Sequence, residues 1–337
     1  MTLTHRGAEP LVEIWRGPFL ESLHWGHAVV CDAKGEIRQT WGNPEEMILP
    51  RSSCKMLQAL PLLETGAADA FGIKDHQIAL ACSSHQGQPM HTDVVQDWLA
   101  HLGYTDDDLI CGTEMPRMKD DKAALIKTDN SPCRYHNNCS GKHSGFLTVT
   151  KHLGADMNYV DPSHPLQIAV KDGFEDLTQV ETPGFGIDGC SAPNFGTTVH
   201  GLARAMAFFA NAKEDASSVR EAAAAKLARC MATYPELVAG DTRACTELMQ
   251  ACQGPVALKT GAEAVFIAIL PEQGLGVALK IADGATRASE CVIAQILVNL
   301  GVLDKDHPMT KKRLNAPIKN WDGLETGIIK PTEALLK

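Results

Sequence analysis

A serine three residues ahead of a lysine, in the run Ser52-Ser53-Cys54-Lys55, is a pattern from which a nucleophile and its base can be built. If the run from Lys55 to Glu64 is helical, Ser52 and Lys55 share one face, because side chains three apart on a helix are neighbours. A serine hydroxyl is a weak nucleophile at neutral pH and needs an adjacent base. Lysine serves as that base only when neutral, and burial or a nearby cation pushes its pKa down. The competing reading is a helix cap followed by a surface lysine, and a chain of this length holds roughly one such spacing by chance.

A second stretch raises the chemical reading. Lys259-Thr260-Gly261 lies just ahead of an apolar strand pattern, and SxxK early with KTG late is the pairing of serine acyl-transfer enzymes such as penicillin-binding proteins and class A β-lactamases. Lys259 would be the cation that keeps Lys55 neutral. The run ACSSHQGQPMHT, residues 81–92, puts Ser83, Ser84 and His85 in a junction loop, either facing a cleft or capping a helix. Two further runs, HNNCSGKHSGF at 136–146 and GFGIDGCSAPNFG at 184–196, carry Cys139, His143 and Cys190. Their spacing matches no standard zinc finger, so metal binding competes with plain buried thiols.

These residues need a scaffold. Residues 11–16, 26–32 and 36–41 read as strands, and Ala264–Leu270 and Leu275–Ile281 flank Pro-Glu-Gln-Gly as a hairpin. A long helical pattern follows from about Ala285 to Leu300, and helical periodicity fills 56–66, 91–103, 164–174, 198–213, 215–238 and 242–253. Strands at both ends around a helical middle predict an α+β fold. Its antiparallel sheet is built from N- and C-terminal strands (about 1–50 and 255–304), beside a helical lobe (about 51–254). Residues 305–337, polar with several prolines, are expected to run over the surface.

The 337 residues, 44% hydrophobic and 21% charged, suit a soluble globular chain large enough for two lobes. With 31 Lys+Arg against 41 Asp+Glu, a net charge of −10 repels phosphate backbones and anionic lipid, so neither nucleic acid nor membrane is expected as a partner. No apolar run is long enough to span a bilayer, and MTLTHRGAEP lacks the start of a secretory signal. The expectation is a cytoplasmic protein whose eleven cysteines are reduced.

Taken in order, RSxxK at 51–55, SSH at 83–85, NNCSGKHSGF at 137–146, GIDGCSAPNF at 186–195 and KTGAE at 259–263 resemble the rhizobial-type, or class 3, L-asparaginases. The resemblance runs from the first strand pair to the hairpin after Lys259. It implies a serine β-lactamase-like fold, hydrolysis of asparagine to aspartate and ammonia, and a homodimer. It also implies Ser52 as nucleophile, Lys55 as its base, and Ser84 with Lys259 as a proton-relaying pair. Zn2+ would be held by Cys139, Lys142 and Cys190, with Arg51, His143, Asp188 and Cys245 around the substrate and an oxyanion donor near Ala262. Gln88 stands where that family more often has Glu. Rival readings are a β-lactamase or peptidase using the same SxxK and KTG, and a zinc-dependent hydrolase.

Overall fold

The computed structural model describes residues 7–336. Eight strands form one antiparallel sheet among the described residues. Its order is Ala316–Lys319, Glu325–Pro331, Glu9–Arg16, Phe19–Cys31, Leu275–Ile281, Val265–Leu270 and Ala257–Thr260, with Ile37–Trp41 pairing against Phe19–Cys31. The strand Phe19–Cys31 is 13 residues long, and its two halves serve different neighbours. Residues 19–26 pair with the first strand, 26–31 pair with Leu275–Ile281, and 28–31 pair with Ile37–Trp41 as well.

Both faces of the sheet are covered, which is why Val265–Leu270 is buried at every position and shows no polar alternation. The helix Val199–Asn211 packs on one strand of the hairpin so closely that a Cβ on Gly276 would lie 2.0 Å from the Ala207 nitrogen. Glycine is the side chain that fits there. The helix Thr286–Asn299 also packs against the sheet. The remaining helices, among them Pro89–Leu102, Ser140–Leu153, Pro165–Thr178 and Val219–Thr233, form the helical part of the molecule.

Two expectations are corrected. Residues beyond Asp304 do not simply run over the surface. Strand Glu325–Pro331 pairs with Glu9–Arg16, Leu335 is fully buried, and Trp41 Nε1 donates to the Ala334 carbonyl at 2.9 Å. Prolines hide this: Pro317 sits in a strand at the sheet edge and Pro331 ends one, positions where a missing N–H costs little. The helix expected from Lys55 to Glu64 is instead two short helices, Lys55–Gln58 and Leu60–Glu64, preceded by a 3-10 turn, Arg51–Cys54. Pro61 is the reason, since it begins the second helix and has no N–H with which to continue the first.

Candidate active site

The turn Arg51–Cys54 carries Ser52 and is held from three sides. Arg51 adopts a left-handed backbone, φ 55°, which a non-glycine residue takes at a cost that its surroundings must offset. Its N–H donates to Asn194 Oδ1 at 3.1 Å, and its guanidinium donates to Asp188 Oδ1 at 2.7 and 3.1 Å. Ser53 is buried, and its Oγ donates to the Pro50 carbonyl at 2.7 Å, which makes it a brace for the turn. From the third side comes the end of strand Ala257–Thr260. A Cβ on Gly261 would lie 2.6 Å from the Pro50 carbonyl, so the glycine of KTG lets this strand press against the serine turn.

Ser84 stands between the two lysines. Its Oγ accepts from Lys259 Nζ at 2.8 Å and from Lys55 Nζ at 3.0 Å. Lys55 Nζ also donates to the Ser83 carbonyl and lies 3.1 Å from Cys139 Sγ. This ring of acceptors suits an ammonium, and no hydrogen bond joins Lys55 to Ser52 among the described residues. Burial, and then the charge of Lys55, push Lys259 down to about 7, leaving it close to half neutral at neutral pH.

Behind this pair lies the sulfur cluster. Cys139 precedes the helix Ser140–Leu153, whose first turn carries Lys142 and His143 on the side of Cys139, at helical spacings of three and four. Cys190 sits on a turn between the short strands Phe185–Ile187 and Pro193–Phe195, where Ser191 takes a φ of 71°. Lys142 Nζ donates to Cys190 Sγ at 3.0 Å. A hydrogen bond from Cys139 holds the Cys190 thiol well below its usual range, burial opposes this, and Lys142 adds to it. The same hydrogen bond, with burial, holds Cys139 protonated. Burial works against charge on Lys142, but Cys190 and Cys139 together outweigh it and push Lys142 up.

A cleft of about 760 Å³ opens above these groups, lined by Ser52, Ser84, Arg51, Asp188, Cys139, Cys190 and Ala262. The fold therefore brings together residues from five separate sequence motifs. Five expected site residues do not line the cleft: Lys55 and Lys259 lie buried beneath Ser84, and Lys142, His143 and Cys245 are also enclosed. Lys142 is buried behind Cys190. His143 is fully buried, with Nδ1 3.0 Å from the Tyr159 hydroxyl and Nε2 without a hydrogen-bond partner among the described residues. Cys245 is fully buried and accepts from the Thr260 N–H at 3.2 Å, which makes it a support for the KTG strand. His85 is enclosed, hydrogen-bonded to Ser140 Oγ and stacked on His91, and burial holds it neutral.

The cleft also contains charged residues that no motif marked: Glu114, Arg117, Arg243 and Glu290. Single charges in helical or loop sequence read as solvated surface, so nothing local distinguishes them. Gln88 does give a signal in retrospect. Its Oε1 accepts from the Asp241 N–H and its Nε2 donates to Asp241 Oδ2, both at 2.9 Å. A carboxylate at position 88 would keep the first bond and repel the second partner, so Gln88 and Asp241 belong together.

A family model described as L-asparaginase II matches residues 12–331. Among solved structures, the chain is similar to a β-lactamase from Mycobacterium bovis, with 16% identity over 82% of this chain and 95% of that one and a TM-score of 0.45. It is also similar to a structure described as Mglu in its tris and glutamate form, with 10% identity over 89% of this chain and 64% of that one and a TM-score of 0.42. No curated protein matches the chain.

Proposed function

The chain belongs to the L-asparaginase II family, and from that premise we propose that it hydrolyses the side-chain amide of L-asparagine through an acyl-enzyme on Ser52. The observation that carries this reading is Ser84 Oγ bridging Lys55 and Lys259 beneath a cleft that Ser52 lines. Neutral Lys259 takes the Ser84 proton while Ser84 Oγ takes one from Lys55, and Lys55 becomes the free base. Ser52 Oγ then attacks the amide carbon and passes its proton to Lys55, which delivers it to the departing nitrogen as ammonia leaves. Water releases aspartate by the reverse route. The Ser52–Lys55 hydrogen bond this needs closes with substrate in place, as catalytic hydrogen bonds often do.

The oxyanion is held by the N–H groups of Ser52 and Ala262. Each belongs to the opening of a 3-10 turn, Arg51–Cys54 and Ala262–Ala264, where the first donors have no acceptor within the turn.

The sulfur cluster fits a zinc ion. Among the described residues no three His, Cys, Asp or Glu side chains form a metal site, so the donor set is complete only when Lys142 is counted with Cys139 and Cys190. Two thiolates and an amine, with the protons of Cys139 and Lys142 given up to make room for the ion, would be donors of the borderline softness that zinc prefers, and the Nε2 of His143, without a hydrogen-bond partner among the described residues, is a further polar atom beside Cys190. Cys139, Lys142 and Cys190 would hold the ion, which when bound supplies positive charge for orienting a polar substrate.

The test is ammonia release from L-asparagine and L-glutamine by the purified protein, run beside a nitrocefin assay. Asparagine turnover that falls by at least about 10³-fold in Ser52→Ala supports the reading. Ser53→Ala should keep most of the turnover. Nitrocefin opening without ammonia release would overturn the assignment.

A further inference from the structure

Three arginines line the cleft, and two of them are already neutralised. Arg51 is ion-paired with Asp188 at 2.7 Å and Arg117 with Glu114 at 2.9 Å. Arg243 has neither an ion pair nor a side-chain hydrogen bond among the described residues, and its Nη1 is buried with no partner. Glu290, the remaining carboxylate on that side of the cleft, pairs with Arg313 at 3.4 Å. A guanidinium nitrogen removed from water and left without an acceptor is costly to fold around, and an anion that arrives with the substrate removes that cost.

The loop that presents Arg243 is built for one position. Gly240 and Thr242 take positive φ values of 108° and 63°. Gln86 Nε2 donates to the Asp241 carbonyl at 2.6 Å, and Gln88 clamps Asp241 through both its amide atoms. Immediately after Arg243 begins the helix Ala244–Ala251, whose Cys245 Sγ accepts from Thr260 N–H. Arg243 is thereby fixed beside the KTG strand, near enough that its charge is felt at Lys259.

We infer that Arg243 is the specificity residue that receives the α-carboxylate of the amino-acid substrate, with Gln86 and Gln88 positioning it through the 240–243 loop. The inference rests on the amidohydrolase reading above and adds where the non-reacting end of the substrate is bound. A planar guanidinium matches a carboxylate through paired N–H donors, and Glu290, the cleft carboxylate that feels its charge, is ion-paired with Arg313 instead. Because the contact is to a part of the substrate that does not change in the reaction, it contributes to binding in the ground state and transition state alike.

The experiment compares L-asparagine with 3-aminopropanamide, the same amide without the α-carboxylate, on wild type, Arg243→Leu and Arg243→Gln. Wild type should prefer asparagine by roughly 10- to 100-fold in kcat/KM, the size of a charge-assisted hydrogen-bond contact. At pH 9, where Lys259 is neutral with or without the charge of Arg243, both variants should lose that preference by raising KM for asparagine far more than they lower kcat. Thermal melts show which variants fold, and either one suffices. The inference is overturned if wild type handles both amides equally, or if a folded variant keeps the preference. Absence of ammonia release from asparagine by wild type would instead remove the underlying reading.

Discussion

Ser84 Oγ accepts from two lysines at once, and that contact sets the pH behaviour expected of the protein. The proposed relay needs Lys259 neutral, and Lys259 loses its proton near pH 7. The rate kcat/KM should therefore rise through about pH 7 and level off above it, each unit below costing about tenfold. A pH profile with its rising limb near pH 4 would contradict the relay. The same group has a consequence for stability. Between about pH 7 and its ordinary value the unfolded chain holds a proton that the folded chain releases, so stability should rise with pH across that window. Replacing the lysine by Lys259→Met should abolish turnover while raising stability at pH 6 by about 1–4 kcal/mol, with the gain shrinking toward pH 9. Urea melts at the two pH values measure this.

At the scale of elements, the site is a set of contacts between ends: a turn, a strand end, a helix start and a hairpin tip. Gly261 marks the contact between the strand end and the Ser52 turn. In Gly261→Ala the new Cβ meets the Pro50 carbonyl and must push the strand end from the Ser52 turn, separating the two oxyanion donors. Such a displacement should lower kcat by about 100-fold with a much smaller change in KM. Steady-state kinetics on the folded variant decides, and unchanged kcat would mean that the Ala262 N–H has no part in the chemistry. The proposed zinc site would join the helix start at Cys139 and Lys142 to the tip at Cys190. Stripping metal with a chelator should raise KM far more than it lowers kcat, because the proposed metal orients substrate and the nucleophile is Ser52. Metal analysis beside the kinetics checks it, and a loss confined to kcat would point to a metal-bound nucleophile.

For the molecule as a whole, the last thirty residues close the sheet. Glu325–Pro331 covers the edge of Glu9–Arg16, the Thr332 N–H donates to the Leu11 carbonyl at 3.0 Å, and Asn299 Nδ2 donates to the Leu335 carbonyl at 2.8 Å. A chain ending at Asp304 leaves a long strand edge unpaired and exposes the pocket that Leu335 fills. It should melt about 10 °C or more below the full chain, or aggregate through that edge. Differential scanning calorimetry of the two chains tests this, and equal midpoints would show that the segment is dispensable. The position of this segment also bears on the site, because the sheet it completes carries the KTG strand at its other edge.

Much of the scaffold was legible from local pattern. The hairpin Val265–Leu270 with Leu275–Ile281, the helix Thr286–Asn299 and the helix Pro165–Thr178 follow from apolar periodicity, and their turns follow from glycine and proline, because these signals depend on neighbours a few residues away. The motifs were legible for the same reason: Ser52 with Lys55, and Cys139 with Lys142, are close in sequence. What only the tertiary structure decided is which motifs meet. Ser84 reaches Lys259 across 175 positions, Cys190 reaches Lys142 across 48, and strand Glu325–Pro331 finds its partner at the opposite end of the chain. Charge assignment was decided there too. Which lysine gives up its proton depends on burial and on the acceptors around each nitrogen, and which arginine is left without a partner depends on every carboxylate that folding brings near it. Those quantities are sums over three-dimensional neighbours, and no window of sequence contains them.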